Sequence, residues 1–266
     1  MLSKRSDIYN SHMLSTRRLL PLLLLSACAP QPLLLTGVAL EMNGGDKAPL
    51  AAILEYSADR PARPLLTLKH PGEVDLIISE APLATSGPAH VLGLRPGREY
   101  SVSVDFEDEA GVITHGGDFS ITTQALPEDF PPIEVTTRRQ ARMEPGYQFI
   151  PVMRWTDRGP DREFGLVLAL DNAGEVVWYF KTNKSVNDVK RLPNGDLIYI
   201  EGRDGRIVQI NKLGERVKHW HTTGIPKDDV PEGSIPVDAD SFHHDFEFLP
   251  NGNFLALSTE AREFEE

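Results

Sequence analysis

Between Val38 and Thr123 apolar and polar residues alternate in strand-length runs punctuated by Pro, Gly and Asp. Ala51-Ala52-Ile53-Leu54-Glu55-Tyr56, Leu65-Leu66-Thr67-Leu68 and Val74-Asp75-Leu76-Ile77-Ile78 are three such runs. Farther on, Leu94-Arg95-Pro96-Gly97 turns into a strand that places Tyr100, Val102 and Val104 inward and Ser101 and Ser103 outward, because side chains alternate across a strand. Gly111 suits a hairpin turn, and Phe119-Ser120-Ile121-Thr122-Thr123 suits a closing strand. Ahead of these runs, residues 29–36 are apolar and Pro-bearing and read as a tether.

The Leu-x-Pro-Gly turn entering an alternating strand resembles the penultimate strands of fibronectin type III sandwiches. Residues 29–126 are therefore expected to form an immunoglobulin- or fibronectin-III-like β-sandwich domain, a spacer or docking module to which no chemistry is assigned. Residues 127–142 read as a linker, Pro-bearing and then basic, and Arg138, Arg139 and Arg142 as its solvated charges.

From Gly146 onward the chain repeats itself. Leu192-Pro193-Asn194-Gly195-Asp196-Leu197-Ile198-Tyr199-Ile200 matches Leu249-Pro250-Asn251-Gly252-Asn253-Phe254-Leu255-Ala256-Leu257 at an offset of 57 residues. Leu168-Ala169-Leu170-Asp171-Asn172-Ala173-Gly174-Glu175-Val176-Val177 matches Val208-Gln209-Ile210-Asn211-Lys212-Leu213-Gly214-Glu215-Arg216-Val217 at an offset of 40. Each copy is strand, turn, strand, and Asn-Gly is a strong hairpin signal because both residues tolerate positive φ. Interleaved hairpins at these periods predict β-propeller blades, one of them spanning about Val186 to Trp220, and residues 143–266 are assigned as a partial propeller. That span holds roughly two blades, where closed propellers have about 4–8, so the expectation is the first part of a longer, truncated ring. The fold class expected is all-β, a sandwich followed by the first blades of a propeller.

Composition changes this picture little. The 21 Gly and 21 Pro fit a turn-rich chain, and 40% apolar content supplies a core. A net charge of -12 makes a poor nucleic-acid surface, so no nucleic-acid partner is expected, and an anionic ligand would need a local cationic pocket.

The N-terminus adds an address. Arg17 and Arg18 precede an apolar run from Leu19 to Leu25, too short to span a bilayer, which needs about 20 apolar residues. Leu25-Ser26-Ala27-Cys28 resembles a bacterial lipobox, which makes residues 1–28 a lipoprotein signal peptide ending at an acylated Cys28. The protein is then expected on the periplasmic side of the cell envelope, with its membrane partner reached through the lipid anchor at Cys28. Ala29 after the cysteine favours the outer membrane by the same resemblance. The alternative is a buried free thiol. Cys28 is the sole cysteine, so no internal disulfide can form.

Aligning the Leu-Pro-Asn-Gly copies lays Ser241-Phe242-His243-His244-Asp245-Phe246 over Lys184-Ser185-Val186-Asn187-Asp188-Val189. His244 thus replaces Asn187 at the start of a blade's first strand, the strand that lines a propeller channel. Strict alternation would put His244, Phe246 and Phe248 on one face and His243, Asp245 and Glu247 on the other. A histidine there can donate to an anion, transfer a proton near neutral pH or attack as a nucleophile. Equally, one histidine can be a packed strand residue, with Asp188 and Asp245 bracing turns. A metal site from His243, His244 and Asp245 is disfavoured because neighbouring strand side chains diverge, and no metal is assigned. His70, His90 and His115, near turns of the sandwich, read as structural or surface residues. So do His219 and His221, which flank Trp220 on what should be an outer, solvent-facing strand.

Phe242-His243-His244-Asp245, followed by Phe248-Leu249-Pro250-Asn251-Gly252-Asn253-Phe254-Leu255-Ala256-Leu257, resembles the bacterial arylsulfate sulfotransferase family. The layout of an exported sandwich followed by a propeller, and Glu144-Pro145-Gly146-Tyr147 at the propeller's entry, resemble it too. The resemblance implies transfer of a sulfuryl group from a phenolic sulfate ester donor to a phenol acceptor through a sulfohistidine, with no cofactor. It implies catalytic roles for His244 and His243 and substrate contacts from His244 and Asn187, the nucleophile itself lying in later blades, so that this chain alone would be inactive. The rival expectation is a non-catalytic propeller lipoprotein serving as a scaffold or binding platform.

Overall fold

The computed structural model describes residues 31–79, 81–154, 164–202, 205–224, 230–260 and 262. The leader and the lipidation site Cys28 lie outside the described residues. Seventeen strands are present among them, and a single 3-10 turn at Gln140–Arg142.

The first seven strands are β1 (Leu35–Met42), β2 (Ala52–Lys69), β3 (Leu76–Ile78), β4 (Ala84–Ser86), β5 (Ala89–Val91), β6 (Glu99–Asp108) and β7 (Ile113–Thr122). The two runs expected as separate strands after residue 50 are one 18-residue strand, β2. Its first half lies between β1 and β5, and its second half between β3 and β6, with β7 beyond β6. Leu54 and Tyr56 from the first half and Leu66 and Leu68 from the second enter the same core as Val102, Val104 and Phe106. One long strand thus serves both layers of the sandwich. Arg60 sits where the layers join and pairs with the buried Asp108 at 2.9 Å.

β1 starts at Leu35, and Leu33 is already in the core, so the expected tether is partly structural. Tyr100, Val102 and Val104 are buried as their alternation predicted. The Leu94–Tyr100 turn is closed by the Arg95 backbone N–H donating to Tyr100 Oη at 2.9 Å, the corner expected at this point of such sandwiches.

The connection to the blades is exposed over most of its length but docked at its start. Phe130 meets Tyr179 edge-on at 5.3 Å, and Lys181 pairs with Asp129 at 2.8 Å.

Three antiparallel sheets follow. The first is β8 (Gln148–Arg154), β9 (Phe164–Leu170) and β10 (Val176–Thr182). The second is a four-stranded meander, β11 (Val186–Arg191), β12 (Leu197–Glu201), β13 (Arg206–Ile210) and β14 (Arg216–Thr222), the up-and-down order of a propeller blade. The third is β16 (His243–Phe248) with β17 (Phe254–Leu257). A short strand, β15 (Ile235–Val237), runs parallel to β14. It corrects the expectation of a bare outer strand: His221 Nδ1 meets Ser234 Oγ at 2.8 Å, and His219 is half-covered.

The repeated turns share one mechanism. Asp171 Oδ1 accepts the N–H groups of Ala173 and Glu175, and Asn211 Oδ1 those of Leu213 and Glu215. Asn194 and Asn251 do the same for Asp196 and Asn253. Each turn then needs φ near +80°, open to glycine without strain, and Gly174, Gly195, Gly214 and Gly252 supply it.

Ala48 and Ala51, between β1 and β2, pack with Val167, Trp178, Phe180, Tyr199 and Val208 in a common core, which fixes the sandwich on the blades. Arg95 ties the sandwich to the blade turn at Asp171, 2.6 Å away, and holds Glu73 at 3.2 Å.

Candidate functional site

The edge strands β8, β11 and β16 stand side by side, as the innermost strands of successive blades should. Two of them carry an irregularity at equivalent positions. β11 pairs with β12 through Val186 and again from Val189, and β16 pairs with β17 through His243 and again from Phe246. In each blade the ladder slips at equivalent positions, leaving Asn187 and Asp188 in one bulge and His244 and Asp245 in the other. A bulge breaks strict alternation and re-aims the side chains it carries.

This overturns the expected sharing of a face by His244 and Phe246. Phe246 is buried and His244 is exposed. The physical cause is the backbone of His244, whose φ of 62° lies in the left-handed region. A non-glycine residue held there costs on the order of 1–3 kcal/mol, and such strain collects at functional positions. As a result the two neighbouring imidazoles do not diverge. Their ring centroids are 5.0 Å apart in a T-shaped arrangement.

His243 is half-buried, and neither ring nitrogen has a hydrogen-bond partner among the described residues. Leaving a buried polar group unsatisfied costs about 1–3 kcal/mol. Asn187, the expected substrate contact on the neighbouring blade, is half-buried. No group of three or more His, Cys, Asp or Glu side chains able to hold a metal ion occurs among the described residues.

A charged cluster missed by sequence reasoning flanks the histidines. Lys190 Nζ on β11 lies 3.0 Å from Asp245 Oδ1, 3.3 Å from Asp188 Oδ2 and 3.6 Å from Glu247 Oε2. It also stands 5.6 Å from the centroid of the Phe246 ring. Asp188 Oδ2 is buried and meets Lys190 as an ion pair without an aligned hydrogen bond. Burial first, and then the neighbouring Asp245 carboxylate, push the Asp188 carboxyl up. Asp245 moves the other way, held down by hydrogen bonds from Lys190 and then Asp188. The pair thus divides its roles: Asp188 keeps a proton more readily and Asp245 stays ionised. The signal was present in the repeat alignment, which lays Lys190 over Glu247 and Asp188 over Asp245.

Chemically, this end of β16 offers two adjacent imidazoles, one exposed on a strained bulge and one with both nitrogens uncommitted, beside a carboxylate cluster neutralised in part by one lysine. It can donate hydrogen bonds to an anion. The family model described as Arylsulfotransferase (ASST) matches residues 136–266, the stretch that holds all three blade sheets and both histidines. No curated protein matches the chain.

Proposed function

From the match of residues 136–266 to the arylsulfotransferase family, we propose that the chain supplies part of the active site of an aryl-sulfate sulfotransferase. The enzyme moves a sulfuryl group from a phenolic sulfate ester to a phenol acceptor. The observation that carries this reading is the bulge that turns His244 out beside His243 on the inner strand of a blade.

In the first half-reaction an imidazole nitrogen attacks sulfur. The N–S bond forms, the S–O bond to the aryl group breaks, and the phenoxide leaves with the proton that the attacking imidazole gives up. In the second, the acceptor's oxygen attacks sulfur, the N–S bond breaks, and the acceptor's proton passes to a base. The sulfuryl oxygens carry negative charge throughout and need fixed donors. His244 and His243 donate to them, and the Asn187 carboxamide of the preceding blade adds a third donor. The attacking imidazole is assigned to a further blade of the ring. A lipid anchor at Cys28 would hold the enzyme at the periplasmic face of the outer membrane.

The test is sulfuryl transfer from 4-nitrophenyl sulfate to phenol, without any added nucleotide, by the intact ring that contains this chain. Ping-pong kinetics and a sulfuryl-labelled histidine are expected, with no transfer by the 266-residue chain alone. Transfer by the chain alone would overturn the assignment of the nucleophile to another blade. Absence of transfer by the intact ring would overturn the activity.

A further inference from the structure

A second site lies on another part of the molecule, in the cleft between the sandwich and the first blades. It is a cavity of about 1010 Å³, and none of Asn187, His243 and His244 lines it. Its sandwich wall is apolar, with Leu66, Leu76 and Ile78, and its blade wall is aromatic, with Phe149 and Trp178.

Two cations line its blade side, Lys212 half-buried and Arg191 exposed. Arg191 ends β11, and Lys212 sits in the β13–β14 turn. Both converge over Gly195 in the β11–β12 turn. A Cβ built on Gly195 would lie 3.3 Å from Lys212 Nζ and 3.7 Å from Arg191 Nη2. Neither cation has a carboxylate partner among the described residues. No acidic residue is among the described residues that line the cleft, in a chain with 39 Asp and Glu.

The turn that carries Lys212 is held in place. Trp178 Nε1 donates to the Lys212 carbonyl oxygen at 2.9 Å, which ties the lysine's turn to the aromatic wall. His90 completes the lining. Burial first, and the charge of Lys212 second, lower its pKa against the opposing pull of Glu215 and Glu55, so it stands as a neutral donor.

Cations with no carboxylate partner among the described residues, beside apolar walls, match a ligand that is apolar at one end and anionic at the other. A fully hydrated ion such as free sulfate gains nothing from the walls, and a neutral aromatic gains from Arg191 and Lys212 only a cation–π contact, weaker than a charge-assisted hydrogen bond. We propose that this cleft binds an amphipathic aromatic anion, a sulfonate, sulfate ester or carboxylate, with its ring between Ile78 and Trp178 and its head on Arg191 and Lys212.

The test is calorimetric titration of the full chain with 2-naphthalenesulfonate, which cannot donate a sulfuryl group through a cleavable ester. Saturable binding is expected, at least tenfold tighter than for neutral 2-naphthol and not displaced by equimolar inorganic sulfate. Arg191→Gln with Lys212→Gln should weaken it at least tenfold, while His244→Ala leaves it within twofold. A magnetisation transfer from naphthalene protons to Trp178 in the unmodified chain gives a readout that needs no variant. Absent binding, equal binding of 2-naphthol, no effect of the double variant, loss on His244→Ala, or no transfer to Trp178 would each overturn the assignment. The His244→Ala arm separates failure of this site from failure of the sulfotransferase reading.

Discussion

Lys190 Nζ and Asp245 Oδ1 lie 3.0 Å apart and join two neighbouring blades across their innermost strands. The same ammonium serves Asp188 and Glu247, so one lysine sets the charge balance beside the His243–His244 pair. Lys190→Met keeps the aliphatic stem and removes the charge. It would leave a buried Asp188 oxygen facing a second carboxylate, at a cost of about 1–3 kcal/mol. Urea denaturation followed by far-UV circular dichroism should show a lower midpoint with an unchanged slope.

The opposite shifts of the two aspartates give opposite pH signatures. The Asp188 pKa is raised on folding, so its contribution is most favourable at acid pH and declines as pH rises through the raised value. The Asp245 pKa is depressed, so its contribution is present above the ordinary aspartate range and is lost as pH falls through the depressed value. Thermal melts across pH 3 to 7 should therefore respond in opposite directions to Asp188→Asn and Asp245→Asn. Asp188→Asn should remove the decline above the ordinary aspartate value, and Asp245→Asn should remove the loss on acidification.

The sandwich corner offers an independent check on the N-terminal fold. Tyr100 is buried, and its hydroxyl accepts the Arg95 backbone N–H. Tyr100→Phe keeps the ring and leaves that N–H without its acceptor, so a loss of about 1–2 kcal/mol is expected in equilibrium unfolding.

Most of the fold was legible because it rests on local chemistry. The Asp171, Asn194, Asn211 and Asn251 turns, each followed by a glycine at positive φ, fix the hairpins residue by residue. Alternation located Tyr100, Val102 and Val104 correctly for the same reason. Alternation failed where the geometry is not local. Nothing in Ala58-Asp59-Arg60-Pro61 declares that β2 runs on through both layers. Nothing in His243-His244-Asp245 declares a slipped register, because a bulge is decided by how two strands pair. The Lys190 cluster was half-legible: the aligned copies carry opposite charges at positions 190 and 247, but their contact depends on how blades pack. Arg191 and Lys212 read as ordinary turn charges in the sequence, and only the fold places them together on the lining of one cleft.

His244 is predicted to trade stability for position. Glycine adopts its φ of 62° without strain, so His244→Gly should be at least as stable as the parent, by up to about 1 kcal/mol, while losing the imidazole. Differential scanning calorimetry of the two proteins checks this.

The central claim is that the imidazole of His244 meets the sulfuryl group in the transition state. Its most direct test is kcat/KM for 4-nitrophenyl sulfate with phenol, measured on the ring proposed above with His244→Ala in place. Removing one such donor or proton-transfer group costs on the order of 10²- to 10³-fold, and a loss of that size is the predicted result. Turnover within twofold of the parent would contradict it.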